Sequence, residues 1–92
     1  MNSTFEWDDH KAQHNLRKHK VSFREAITIF HDPLVATIPD PDHSADEERL
    51  IAIGHSSRNR LLVVSFTERG NRIRIISCRR AEPIERKLYE EE

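Results

Sequence analysis

The apolar pattern of this chain changes period once, at Pro33, and that change limits the fold more than any other feature. Before Pro33 the apolar residues recur at helical spacing, and after it they come in short strand-like runs. Val21-Ser-Phe-Arg-Glu-Ala26 is the sharpest helical signal. Ser22 is placed to accept from the N3 amide, Glu25 to reach back in a capping box, and Val21 and Ala26 to form a hydrophobic staple. Phe23, Ala26, Ile27 and Phe30 make the apolar stripe of this helix, which Pro33 terminates. Upstream, Phe5-Glu6-Trp7 alternates like a short edge strand. Asp8 or Asp9 can then cap a first helix through His19, with Ala12, Leu16 and His19 on one face.

Beyond Pro33 the strands follow in turn. Leu34–Ile38 is short and apolar, and Pro39-Asp-Pro-Asp-His43 breaks it. Leu50–Gly54 comes next, then a polar turn at Ser56–Asn59. Leu61–Phe66 is apolar on both faces, as a central strand is. Glu68-Arg-Gly-Asn71 is a hairpin turn in which Gly70 and Asn71 can take positive φ, and Arg72–Ser77 is the last strand. Pro83 opens a C-terminal helix bearing Ile84, Leu88 and Tyr89. The order predicts an α+β fold, with N-terminal helices and a C-terminal helix packed on a small antiparallel sheet of three or four strands.

Ninety-two residues make one domain, residues 1–92. No run reaches the roughly 18 apolar residues of a membrane span, and Met1 to Asp9 lacks the pattern of a signal peptide. Cys78 is the only cysteine. It excludes an intrachain disulfide and a Cys-cluster zinc site, and points to a reducing, cytoplasmic setting.

The formal net charge of -1 hides a strong segregation. His10–Lys20 holds Lys11, Arg17, Lys18 and Lys20 with three histidines and no acid, and Arg69–Arg80 holds five arginines and no acid. The acids gather at Asp40–Glu48 and Glu90–Glu92. Two acid-free basic segments in a near-neutral chain imply a local anion site, against the plainer reading of a solvated surface.

The last strand is the most informative segment. Strict alternation puts Ile73, Ile75 and Ser77 on one face and Arg72, Arg74 and Ile76 on the other. Arg72 and Arg74 then face outward, where guanidinium groups can grip phosphate in pairs of hydrogen bonds. By the same parity Arg79 points with Ile73 and Ile75. It either reaches out at the rim just past the strand or is re-aimed by a bulge. The plain alternative pairs it with Glu82 or Glu85.

His10 and His14 have metal-ligand spacing, but no third ligand completes a set, so no metal and no cofactor are expected. His19 extends an apolar stripe between Lys18 and Lys20. It is either a half-buried packing residue or, with its pKa lowered by those cations, a proton acceptor near neutral pH. The Asp40–Glu48 stretch lacks calcium-loop ligand order and reads as a solvated loop. Nucleophile, P-loop and dinucleotide motifs are absent, and Cys78 reads as a buried inert thiol rather than one activated by Arg79 and Arg80.

Phe5-Glu-Trp-Asp8, Lys11, Asn15, Lys18-His19 and Val21-Ser-Phe-Arg-Glu-Ala26 resemble the opening of the BrnT-type ribonuclease toxins. Glu48-Arg49, Gly54, Thr67-Glu-Arg-Gly70, Arg72-Ile-Arg-Ile-Ile-Ser77, Arg79, Ala81, Glu85 and Tyr89-Glu90 continue the likeness. In the family pattern Gly more often stands at the position of Lys20 and Ala at that of Cys78. The resemblance implies a RelE-like fold and the toxin of a type II toxin–antitoxin pair. Such a toxin cleaves RNA, arrests translation and is neutralised by a BrnA-type antitoxin. DNA is then reached only through that antitoxin, and no membrane partner is implied.

The matching chemistry is metal-independent transesterification. A base takes the 2′-hydroxyl proton, the oxygen attacks phosphorus, and an acid protonates the leaving 5′-oxygen. The resemblance places catalysis on Arg79 or Arg80 at the strand end and on Tyr89 of the last helix. In the resulting assignment Arg79 stabilises the phosphorane, His19 or Glu68 is the base, and Tyr89 positions or protonates. Arg69, Arg72, Arg74, Arg80 and Lys18 hold the RNA backbone. The rival class is a non-enzymatic module that binds nucleic acid or a partner. A third reading, a metal hydrolase on His10 and His14, predicts activity lost to chelator.

Overall fold

The computed structural model describes residues 4–40 and 48–91. The 41–47 part of the acidic stretch lies outside the described residues. The elements are β1 (Thr4–Glu6), α1 (Asp9–His19), α2 (Phe23–Ile27), a 3₁₀ turn (Thr28–His31), β2 (Ala36–Pro39), β3 (Arg49–His55), β4 (Leu61–Arg69), β5 (Arg72–Arg80) and α3 (Pro83–Glu90). They form one sheet in the order β1-β5-β4-β3-β2. The α+β class and the central place of β4 agree with the sequence. The sheet is mixed, however, and not a purely antiparallel meander: β1 runs parallel to β5. The parallel pairing turns Phe5 to the face where Phe30 lies, ring centroids 5.4 Å apart.

The two sheet faces are covered unequally. Val21, Phe23, Ala26 and Ile29 pack on Ala52, Leu62, Val64, Phe66, Ile75 and Cys78 on one face. On the other, Tyr89 of α3 packs with Ile53, Leu61 and Val63, and Ile51 and Ala81 lie at the margin of this smaller cluster. The 3₁₀ turn brings Ile29 into the three-residue rhythm of Phe23 and Ala26, so Ile29 is fully buried while Phe30 packs at the border. Gly54 permits that turn to sit close to β3, since a Cβ there would lie 3.3 Å from the Ile29 carbonyl oxygen.

Asp8 caps α1, its Oδ1 accepting from His10 N–H at 2.8 Å and Lys11 N–H at 3.1 Å. The inward face of α1 differs from the expected one: Leu16 is 49% exposed and Asn15 is buried. The cause is the shortness of β1. It ends at Glu6 opposite Arg74, so the outer edge of β5 beyond that point has no neighbouring strand, and α1 packs there. Asn15 stands in for the missing strand. Its Oδ1 accepts from Cys78 N–H at 3.0 Å, and its Nδ2 donates to the carbonyls of Cys78 at 2.8 Å and Val21 at 3.0 Å.

The second helix is capped as predicted by Ser22, which accepts from Glu25 N–H at 3.0 Å. Glu25 does not reach back. Its buried carboxylate instead accepts from Ser56 at 2.7 Å and from Arg60, drawing α2 to the β3–β4 turn. An ion pair with hydrogen bonds at both oxygens outweighs a single capping bond. In the β4–β5 turn only Gly70, of the two candidates, takes positive φ.

Candidate functional site

A bulge decides where the arginines of β5 point. Ser65 pairs with Ser77 and Phe66 with Ile75, so Ile76 is the extra residue. Parity is reversed beyond it. Cys78 joins Ile75 in the core, and Arg79 shares a face with Val63, Arg72 and Arg74 instead of following Ile73. Burial raises the Cys78 thiol to about 12, as an inert core cysteine requires.

Beside the bulge, α1 and β5 enclose a hollow of about 320 Å³ lined by His10, Lys11, His14, Asn15, Lys18, His19, Ile76 and Ser77. The six helical residues repeat at i, i+4, i+8, and so share the side of α1 that looks along the strand edge. His19 is half-buried at one end. Burial first, then the charges of Lys18, Arg79 and His14, lower its pKa below the usual 6.5. At neutral pH it is therefore an uncharged imidazole among cations. Arg79 is among the charges that lower its pKa, so the guanidinium lies within electrostatic range of the ring.

Arg79 is gripped by α3. Its Nη1 and Nη2 donate to Glu85 Oε1 at 2.8 Å and Oε2 at 2.6 Å. Glu85 also accepts from Glu82 N–H at 2.8 Å, which completes the helix start. The side chain of Arg79 stays 39% exposed. The pairing with Glu85 is thus real, and it aims the guanidinium rather than burying it.

Other expected residues lie elsewhere. The Tyr89 hydroxyl turns to the β3 side of β4, donating to Asp32 Oδ2 at 2.6 Å and lying 3.2 Å from His55 Nδ1. Burial, then Asp32, raises its pKa to about 12. Burial pushes the Asp32 carboxyl up, but donors from His55 N–H, Tyr89 and Leu34 N–H outweigh it and hold Asp32 below its usual value. This Asp32–Tyr89–His55 cluster anchors α3 and borders a second hollow with Thr28, His31, Ser56 and Ser57. Nothing in the sequence marked it, because its members lie 23 to 57 residues apart.

Glu68 pairs with Ile73 at the hairpin end of β4, whereas Arg79 pairs with Val63. Five residues of strand, roughly 17 Å, separate Glu68 from Arg79's level. Arg69 and Arg72 form the last pair of that hairpin. Arg72 and Arg74 reach Glu6 at 3.4 and 3.3 Å. Arg80 is exposed at the strand end on the helical side, opposite Leu62, and Lys18 lines the hollow. The structure therefore sets Lys18 and His19 on one hollow, with Arg79 within electrostatic range of His19, and keeps Glu68 far along the sheet from Arg79 and the Tyr89 hydroxyl on Asp32. Among the described residues no three His, Cys, Asp or Glu side chains converge as metal ligands.

Residues 7–85 match the family model described as the ribonuclease toxin BrnT of type II toxin–antitoxin systems. Among solved structures, the crystal structure of the Brucella abortus ribonuclease toxin BrnT is similar, with a TM-score of 0.64 and 27% identity. The likeness covers 88% of this chain and 99% of that one. No curated protein matches.

Proposed function

Because the chain belongs to the BrnT ribonuclease toxin family of type II toxin–antitoxin systems, we propose that it cuts RNA without a metal, from the flank between α1 and β5. The observation that carries this reading is the half-buried His19 in a hollow lined by Lys11 and Lys18, within the field of an arginine that a carboxylate aims. His19 takes the 2′-hydroxyl proton, a role a positioned base performs with about 10²–10⁴-fold effect. Arg79 and Lys18 neutralise the charge that grows on the phosphorane, at roughly 10²–10³-fold per preorganised donor. His14, one helical turn from Lys18, is placed to serve as the acid for the leaving 5′-oxygen. Tyr89 is assigned to holding α3, and with it Glu85, rather than to proton transfer.

The same reading makes the protein a RelE-like toxin that arrests translation in the cytoplasm until a BrnA-type antitoxin covers it. Arg69, Arg72, Arg74 and Arg80 hold the RNA backbone away from the cut. The test is cleavage of RNA by the purified protein in EDTA from pH 5 to 8. On the acid side the rate should rise with pH, its midpoint below 6.5, because only neutral His19 accepts a proton. Chelator-sensitive cleavage, or full activity in both His19→Gln and Arg79→Ala, would sink the proposal.

A further inference from the structure

The half of the sheet that α3 leaves uncovered carries a row of side chains of which the reading above uses only Arg74. Register sets Arg49 of β3, Thr67 of β4, Arg74 of β5 and Glu6 of β1 side by side on one face. Asp40 flanks the β3 end, its N–H donating to the Arg49 carbonyl at 2.9 Å. Thr67 is 1% exposed, and its Oγ1 finds no hydrogen-bond partner among the described residues. Buried hydroxyls are rarely left so. The arginines on either side of it are two strand spacings apart, about 10 Å, a gap their long side chains can close over a shared ligand. Glu6 divides one carboxylate between Arg74 at 3.3 Å and Arg72 at 3.4 Å, both longer than a tight charge-assisted bond.

We propose that Arg49, Thr67 and Arg74 form a subsite for a backbone phosphate of RNA, and that Glu6 is its built-in competitor. The proposal rests on the ribonuclease reading, since RNA is the polyanion such an enzyme must hold. Donors approach from two neighbouring strands and from the sheet floor between them, which suits a tetrahedral anion better than a flat carboxylate. Thr67 and Arg74 pair four residues along β4 from the Val63–Arg79 pair, roughly 13 Å away. The phosphate held here is therefore not the one being cut. Binding displaces Glu6 from Arg74 and gives the Thr67 hydroxyl its acceptor.

The test is fluorescence anisotropy with a 2′-O-methyl oligoribonucleotide, which has no free 2′-hydroxyl to react, with cleavage of unmodified RNA measured in parallel. Glu6→Gln should bind about threefold tighter, the size of a released surface ion pair. Arg49→Ala and Arg74→Ala should each bind about tenfold weaker, with the log–log salt slope reduced by about 0.7 per lost contact. Thr67→Val should bind more weakly without melting at lower temperature. Unchanged or weaker binding by Glu6→Gln, or wild-type binding by Arg49→Ala, overturns the subsite. So does a result in which the arginine variants keep RNA affinity but escape the antitoxin, because the row then serves a protein partner. If no variant cleaves but Glu6→Gln still binds more tightly, the subsite stands and the nuclease reading falls.

Discussion

Two glutamate–arginine pairs tie helices to the sheet, and they differ in how far they are exposed. Glu25 is buried, and its oxygens take Arg60 and Ser56 at the β3–β4 turn. Glu85 also holds Arg79 by two bonds, through both terminal nitrogens where Arg60 uses Nε and Nη2, but here the side chains are 19% and 39% exposed. The chemistry of the contact is alike in both. What separates a clamp from an aimed charge is exposure, the carboxylate being 4% exposed in the first pair and 19% in the second.

The largest test of that contrast is Glu25→Ala, which leaves Arg60 uncompensated and should cost about 3–5 kcal/mol in urea unfolding. A loss below 1 kcal/mol would make the two pairs equivalent. Arg79→Ala should behave oppositely, costing no more than about 1 kcal/mol of stability while cleavage falls about 10²–10³-fold.

Acid should separate the pairs further. Arg60 chiefly lowers the Glu25 pKa and Arg79 chiefly lowers that of Glu85, each from 4.5. A depressed carboxylate pKa gives stability that is complete above the unfolded value near 4.5 and is lost as pH falls through the folded one. Glu25→Gln should therefore flatten the acid limb of a stability–pH curve more than Glu85→Gln. Equal flattening would place the two in the same environment.

The smallest effect concerns Lys20, which ends α1 at φ +61° and offers its carbonyl to Arg60 at 3.4 Å. A left-handed lysine is strained where glycine is not. Lys20→Gly should stabilise the protein by about 1 kcal/mol in thermal melts, provided the Arg60 clamp does not depend on that strain.

Features legible in the sequence are those that depend on near neighbours. The Asp8 and Ser22 caps, the central strand Leu61–Phe66 and the turn at Gly70 all answer to residues within a few positions. Glu25 shows where such reading stops: three residues from Ser22 it looked like half of a capping box, and Arg60, 35 positions away, claimed it. Arg79 needed the bulge at Ile76, which alternation alone could only offer as one of two ways out. His19 was legible as an imidazole among cations, but its neighbour Arg79 became visible only when β5 came alongside α1. Asn15, Asp32, His55 and Thr67 carry no local signal, since each matters through a partner, or the lack of one, set by tertiary structure.

Asn15 has a bearing on life in a crowded cell. An uncapped strand edge is a template on which a second chain can add itself, the first step toward aggregation. The Asn15 carboxamide occupies both backbone groups of Cys78, so β5 ends as an unusable template without a further strand to cover it. The flank beside it stays free for small or flexible ligands while refusing another backbone. A toxin of this family can in this way remain dispersed with the flank between α1 and β5 uncovered.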